Sequence, residues 1–261
     1  MLAILDGAVM PAAEARIPAT DEGLLRGDGV FEVIRLYAGR PFALEDHLAR
    51  LERSAHNLRL PLDLDAIRAD VSGLLERNEE GDAALRVLVT RGGHRLGIVE
   101  PLRELPPTLA LATVTYAPTR ILDGVKSLSY AANMLAGRVA RERGADEALL
   151  VTPHGRVLEG PTGSFFCVMP GEGLVTPPMD DHVLDSITRR RLIELCDVHQ
   201  RPIAQDELVH VEEAFIASTL REVHPVRSID GVELAAPGPR TAQAAERVRA
   251  HIEHELGVSA G

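Results

Sequence analysis

Lysine is almost absent from this chain. Lys126 is its only lysine, and the other 27 cationic side chains are arginine. Cysteine is scarce too. Cys167 and Cys196 are the only two, too few for a disulfide framework or a metal-ligand cluster. One lies in an apolar strand-like run and the other in a helix-like one, so both read as core filler. No segment approaches the ~18 apolar residues of a membrane span. Excess positive charge is missing as well: the net charge of −11 argues against nucleic acid and anionic membranes as partners. The run Arg189-Arg190-Arg191 is too short to be a polybasic tract. The opening Met1-Leu2-Ala3-Ile4-Leu5-Asp6 meets an acid too early for a signal peptide and lacks a basic leader, which predicts a cytoplasmic protein.

The lone lysine is the positive counterpart of these absences. Arginine stays protonated in proteins, whereas a lysine can lose its proton and act as a nucleophile. A chain that uses arginine everywhere else and keeps one lysine points to a need for a primary amine there. Imine formation with a carbonyl is the chemistry that needs an amine and cannot use a guanidinium. The competing reading is a single lysine left on a solvated face.

At 261 residues the chain makes one large domain or two smaller ones. Residues 1–10 read as a strand, and Val30 to Tyr37 alternate as a second. Ala38-Gly39 turns that strand back into Arg40 to Ala43. Glu45 and Asp46 then open a helix with the stripe Leu44, Leu48, Leu51, Ala55 and Leu58, with Arg50 on its edge. Asp63 or Asp65 caps the next helix, which turns Ile67, Val71 and Leu74 inward. Ala84 to Thr90 is a strand, Arg91 to Gly97 a loop, and Leu109 to Thr115 a strand. Residues 116–120 look like a linker, which divides the chain into 1–115 and 121–261. Further helices are expected over 131–143, 187–197 and 241–256, and strands over 147–152, 165–169 and 214–218. Helices follow groups of strands without strict alternation, so the expected class is α+β with mixed or antiparallel sheets.

An imine-forming lysine serves either pyridoxal phosphate or a substrate ketone directly. A pyridoxal site also needs an acid for the pyridine nitrogen and an anion cup built from backbone N–H groups and hydroxyls. Glu159 ends a strand before a Gly-rich break. Ser186-Ile187-Thr188 precedes a helix, and Ser218-Thr219 closes a strand. Each of these alone also has a plain structural reading, as a solvated acid or a helix cap.

The segments Lys126-Ser127-Leu128-Ser129-Tyr130, Ala145-Asp146-Glu147-Ala148-Leu149-Leu150 and Gly155-Arg156-Val157-Leu158-Glu159-Gly160 resemble the core signature of fold-type IV pyridoxal phosphate enzymes, the class IV aminotransferases. Gly27 to Arg35 and His47-Leu48-Ala49-Arg50-Leu51 are similar to the family's early strand and helix. The resemblance runs from about Leu5 to Ile229. It implies two α+β domains with the cofactor between them, and a homodimer. It also implies that Lys126 holds pyridoxal 5'-phosphate as a Schiff base and moves the substrate proton, and that Glu159 keeps the pyridine nitrogen protonated. Arg50, Ile187, Thr188 and Thr219, with Ser218 beside it, would bind the phosphate. Ser186 stands where the family usually has glycine, and Ser164-Phe165 where an Asn usually precedes the aromatic.

Within that family the resemblance is closest to D-amino acid transaminases, which implies amino acid and 2-oxo acid substrates such as 2-oxoglutarate. Phe31 stands where many of them have tyrosine, and the loop Arg91-Gly92-Gly93-His94-Arg95 lacks their Arg-x-His pair. Arg26 and Arg91 are the guanidiniums available to grip a substrate carboxylate in its place; the alternative is that one is a surface residue and the other structural. Aminodeoxychorismate lyase, a branched-chain L-amino acid transaminase and an R-amine transaminase share the same catalytic residues. A non-catalytic carrier of the cofactor and an enzyme forming an imine directly with its substrate are the readings outside that group.

Overall fold

A computed structural model of the chain describes residues 1–78 and 81–257. They fall into two compact units. The first comprises Met1–Glu104 with Gly124–Tyr130, and the second Leu105–Asp123 with the chain from Ala131 onward.

The first unit contains β1 (Leu2–Leu5), β2 (Ala8–Pro11), α1 (Glu22–Arg26), β3 (Gly29–Tyr37), β4 (Arg40–Pro41), α2 (Leu44–Asn57), α3 (Leu64–Leu75), β5 (Ala83–Thr90) and β6 (Arg95–Pro101). Its strands form one antiparallel sheet in the order β2-β1-β6-β5-β3-β4. The strand expected over 1–10 is a hairpin, because Asp6 and Gly7 both take positive φ, as a two-residue hairpin turn requires. The loop expected over 91–97 is shorter, and β6 begins at Arg95. Gly97 lies inside that strand because a Cβ there would meet Ile4 Cγ2 at 2.8 Å, so this glycine marks close packing rather than a break. Helix α2 buries Leu48, Leu51 and Ala55 against Val30, Ile34 and Leu36 of β3, while α3, capped by Asp63, adds Ile67, Val71 and Leu74 to the same core.

The second unit contains β7 (Leu109–Thr115), α4 (Ala131–Glu142), β8 (Glu147–Val151), β9 (Ser164–Met169), β10 (Gly173–Thr176), α5 (Ile187–Leu195), β11 (Val198–Gln200), β12 (Glu213–Ser218), β13 (Glu222–Ile229), β14 (Val232–Glu233) and α6 (Pro239–Leu256). Its mixed sheet runs β11-β10-β9-β12-β13-β7-β8, with β14 on β13. Strand β13 carries Pro225, which cannot donate to a ladder. It is tolerated because pairing to β7 starts only one residue later, at Val226 opposite Leu109.

The division of the chain differs from the expected linker at 116–120. Strand β7 pairs in parallel with both β8 and β13, so residues 105–123 belong to the second unit. The lysine segment returns to the first. Ser127 bridges Val30, Phe31 N–H donates to Lys126 O (3.0 Å), and Leu128 N–H donates to Gly29 O (2.9 Å). Among the described residues no helix is long and apolar enough to cross a membrane, and no group of three His, Cys, Asp or Glu side chains could hold a metal ion.

Candidate active site

In the first unit the site begins with how Lys126 is held. Its carbonyl accepts from β3, and its own N–H donates to Ser54 Oγ on α2 at 3.1 Å. The backbone is therefore fixed on two sides, while Nζ lies 4.5 Å from the centre of the Phe31 ring and 5.5 Å from that of Tyr130. Those two rings meet edge to face at 5.2 Å. Gly29 is required where the segment crosses β3, since a Cβ would sit 2.6 Å from Leu128 and 2.5 Å from Val89 O.

On the core face of β3, between Val30 and Ile34, stands the fully buried Glu32. Arg50 of α2 donates to it twice, Nε to Oε1 and Nη2 to Oε2, both at 2.7 Å, and His47 Nδ1 lies 2.7 Å from Oε2. Burial alone would raise the Glu32 carboxyl. The Arg50 charge and the hydrogen bonds from Arg50 and His47 outweigh it and hold the group at about 2. Burial pushes His47 below its ordinary value despite Glu32, so at neutral pH the imidazole is neutral and its Nδ1–H is the donor.

The two other arginines singled out from the sequence differ from Arg50 and from each other. Arg26 ends α1, is largely exposed, and pairs with Glu22 at 2.5 Å. Helix α1 is tied to the lysine segment, because Ser129 Oγ donates to Gly27 O at 3.1 Å. Arg91 is a brace. It donates to both carboxylate oxygens of Asp28 and to the carbonyls of Leu58 and Arg59, which joins the β5–β6 turn to the end of α2.

In the second unit, Glu159 is set by β8: Leu150 N–H donates to its carbonyl at 2.9 Å. Its Oε1 accepts from Leu184 N–H at 3.0 Å. Half-burial and the Glu159 charge together raise Tyr116. Helix α5 begins at Ile187, three residues beyond Leu184. Ser186 caps it by accepting from Arg189 N–H at 3.3 Å. Ile187 and Thr188 are both buried, and as the first two helical residues they have no acceptor for their N–H groups within the helix. That is an anion-binding arrangement. Arg189 is buried and donates to Pro177 O and Gln200 Oε1, which anchors the first turn of α5. Ser218 and Thr219 form the turn after β12, closed by Arg221 N–H to Ser218 O at 3.2 Å, and α5 packs on that strand.

Sequence reasoning named Lys126, Arg50, Phe31, Arg26 and Arg91, all in the first unit, and Glu159, Ile187, Thr188, Ser218 and Thr219, all in the second. It gave no role to Glu32, His47, Ser54 or Tyr130. A signal existed for two of these: His47, Arg50 and Ser54 recur at spacings of three and four, one face of α2. The donor set suits pyridoxal phosphate. The first unit supplies a primary amine, and the second supplies a carboxylate, Glu159, and two amides without helical acceptors at the start of α5.

Comparison with known proteins agrees. The model of the amino-transferase class IV family matches residues 29–229. A D-alanine aminotransferase of Bacillus licheniformis is 32% identical over 92% of this chain and 93% of its own. A putative branched-chain-amino-acid aminotransferase of Methanocaldococcus jannaschii is 35% identical over 87% of each. Among solved structures, the branched-chain aminotransferase of Thermoproteus uzoniensis with norvaline matches with a TM-score of 0.90 at 29% identity, covering 98% of this chain and 95% of that one. A hypothetical aminotransferase of Mycobacterium tuberculosis in its PLP-bound form matches with a TM-score of 0.87 at 27% identity, over 98% and 100%.

Proposed function

The chain belongs to the class IV aminotransferases, and we propose that it moves the amino group of a D-amino acid to a 2-oxo acid such as 2-oxoglutarate. Enzymes of this family use pyridoxal phosphate, which when bound supplies the electron sink for the charge left at the substrate Cα. This chain's residues do the rest. Lys126 Nζ would hold the cofactor through its aldehyde carbon and would take and return the proton at the substrate Cα. Phe31 and Tyr130 present their rings to that amine and orient it. Glu159 would hold a proton on the pyridine nitrogen. Arg50, the amides of Ile187 and Thr188, and the hydroxyls of Ser218 and Thr219 would bind the phosphate. In this reading the enzyme is a cytoplasmic homodimer with no nucleic-acid or membrane partner, in keeping with its net charge of −11.

The observation that carries an amino acid substrate is the tie from Ser129 to Gly27 O. It fixes the end of α1, with the exposed Arg26 one residue away, to the segment that bears the amine. Arg26 is the guanidinium for the substrate carboxylate, since its pair with Glu22 is solvent-exposed and exchangeable, whereas Arg91 is held by Asp28 and two carbonyls. The D configuration is supported by the run Gly27 to Leu36 and by the likeness to the D-alanine aminotransferase over nearly the whole chain. A branched-chain L-amino acid substrate is the second reading, favoured by the 35% identity to the archaeal relative.

The test is a visible spectrum of the pyridoxal phosphate-loaded protein during separate additions of D-alanine, D-glutamate, L-leucine, an R-amine and aminodeoxychorismate. Bleaching by the D-amino acids is the expected result, and Lys126→Ala abolishes it. Bleaching by L-leucine alone transfers the assignment to the branched-chain reading. Release of pyruvate from aminodeoxychorismate with no bleaching by any amino acid makes the protein a lyase.

A further inference from the structure

We infer that Glu32 and His47 are positioning residues that aim the Arg50 guanidinium at the cofactor phosphate. The inference rests on the reading of Arg50 as a phosphate-binding group. Its starting point is a cost. Glu32 and His47 are fully buried and Arg50 nearly so, on a sheet face otherwise made of Val30, Ile34 and Leu36 against Leu48 and Leu51. A buried ion pair roughly breaks even with apolar residues of the same volume, so stability alone does not account for three polar groups in this core. Their geometry does.

Glu32 grips the edge of the guanidinium formed by Nε and Nη2, with both bonds at 2.7 Å. A planar fork held at two points has its plane and direction fixed, and the edge carrying Nη1 faces away from Glu32. His47 fixes the carboxylate in turn, through Nδ1 to Oε2 at 2.7 Å. Strand β3 then sets two things at adjacent positions: Phe31 on one face over the Lys126 amine, and Glu32 on the other holding Arg50. One rigid strand thereby sets both the surroundings of the amine and the direction of the Arg50 fork.

The experiment titrates apoprotein with pyridoxal phosphate and, separately, with pyridoxal, which lacks the phosphate, and follows absorbance and tyrosine fluorescence. Glu32→Gln keeps the shape of the side chain and removes its charge. The expected result is pyridoxal phosphate affinity weakened about tenfold to a hundredfold, the range of a lost charge-assisted hydrogen bond, with pyridoxal affinity changed less than about threefold. The preference for the phosphorylated form therefore shrinks toward that of Arg50→Ala. His47→Leu, which leaves the ion pair in place, shrinks the same ratio by a smaller factor, and His47→Asn, which keeps a donor near the Nδ1 position, restores it. If Glu32→Gln does not fold, the His47 pair decides. Equal weakening for both ligands, or an unchanged ratio in every variant, overturns the inference. A wild-type protein that binds neither ligand overturns the functional reading instead, and that outcome is distinct because it needs no variant to be seen.

Discussion

Each unit buries carboxylates against arginines, and two of these pairs, Glu32–Arg50 in the first unit and Glu147–Arg221 in the second, are built differently. Glu32–Arg50 is bidentate, with a third bond from His47. Glu147–Arg221 has a single close contact, Arg221 Nη1 to Oε2 at 2.5 Å, while Arg221 Nη2 reaches Thr162 Oγ1 at 3.3 Å. Among the described residues the other Glu147 oxygen, Oε1, is buried without a hydrogen-bond partner. The first pair specifies a direction and the second mainly cancels a charge. Since Arg221 ties β8 to the turn after Glu159, charge balance there is enough to hold a turn, whereas the first pair must hold a plane.

The largest effect should come from deleting each arginine. Arg50→Ala and Arg221→Ala both strand a buried carboxylate and are expected to cost the apoprotein about 3–5 kcal/mol each in denaturant unfolding. The lysine replacements separate them. Arg50→Lys should still cost about 1.5–3 kcal/mol because the fork is lost, and Arg221→Lys about 1 kcal/mol or less because a point charge suffices. Equal costs for the two lysine variants would erase the distinction.

A smaller effect follows acid. Glu32 and His47 both have folded pKa values below their ordinary ones, so the unfolded chain binds more protons and stability falls as pH falls. The His47 contribution is fully present above 6.5, its ordinary value, and is lost below it. That of Glu32 is present above 4.5 and is lost between there and about 2. His47→Asn should flatten denaturant midpoints between pH 7 and 5 and leave the loss below 4.5. A profile that keeps its slope there would show that His47 is not the titrating group. The smallest effect is expected for Gly160→Ala. Its Cβ would lie 3.2 Å from Glu147 Oε1, the oxygen without a partner, and a loose pair can yield. A cost of about 1 kcal/mol or less in thermal or denaturant unfolding is expected, and a cost near that of Arg221→Ala would mean the second pair is as rigid as the first.

Much of this was legible in the sequence, and the gaps have physical reasons. The alternation of β3 and the apolar stripe of α2 locate the sheet and helix that hold Arg50, because periodicity reports which face is buried. Periodicity does not report a polar group that shares that face, and so Glu32, His47 and Ser54 were passed over. Lys126 stood out by rarity, and Glu159 by its place before a Gly-rich break. The attachment of Lys126 to the first unit was invisible, since it rests on a bridge between Val30 and Ser127 and on hydrogen bonds to Ser54 and Gly27, partners distant in sequence with no local signature. Arg91 was offered as a substrate clamp because a guanidinium beside a Gly-rich turn looks available; its partners Asp28, Leu58 and Arg59 are distant in sequence.

The lysine segment gives the chain an unusual itinerary. The backbone leaves the first unit after Glu104, comes back at Gly124 for seven residues, and departs again after Tyr130. A ribosome has therefore made the first strand of the second unit before it delivers the amine that the first unit must bind. No single cut divides the protein into its two units, and a fragment ending at Glu104 has every strand of its sheet but no nucleophile. Along the sequence the segments of the two units alternate, so gene fusion or truncation at the boundary after Glu104 would separate the scaffold from its chemistry.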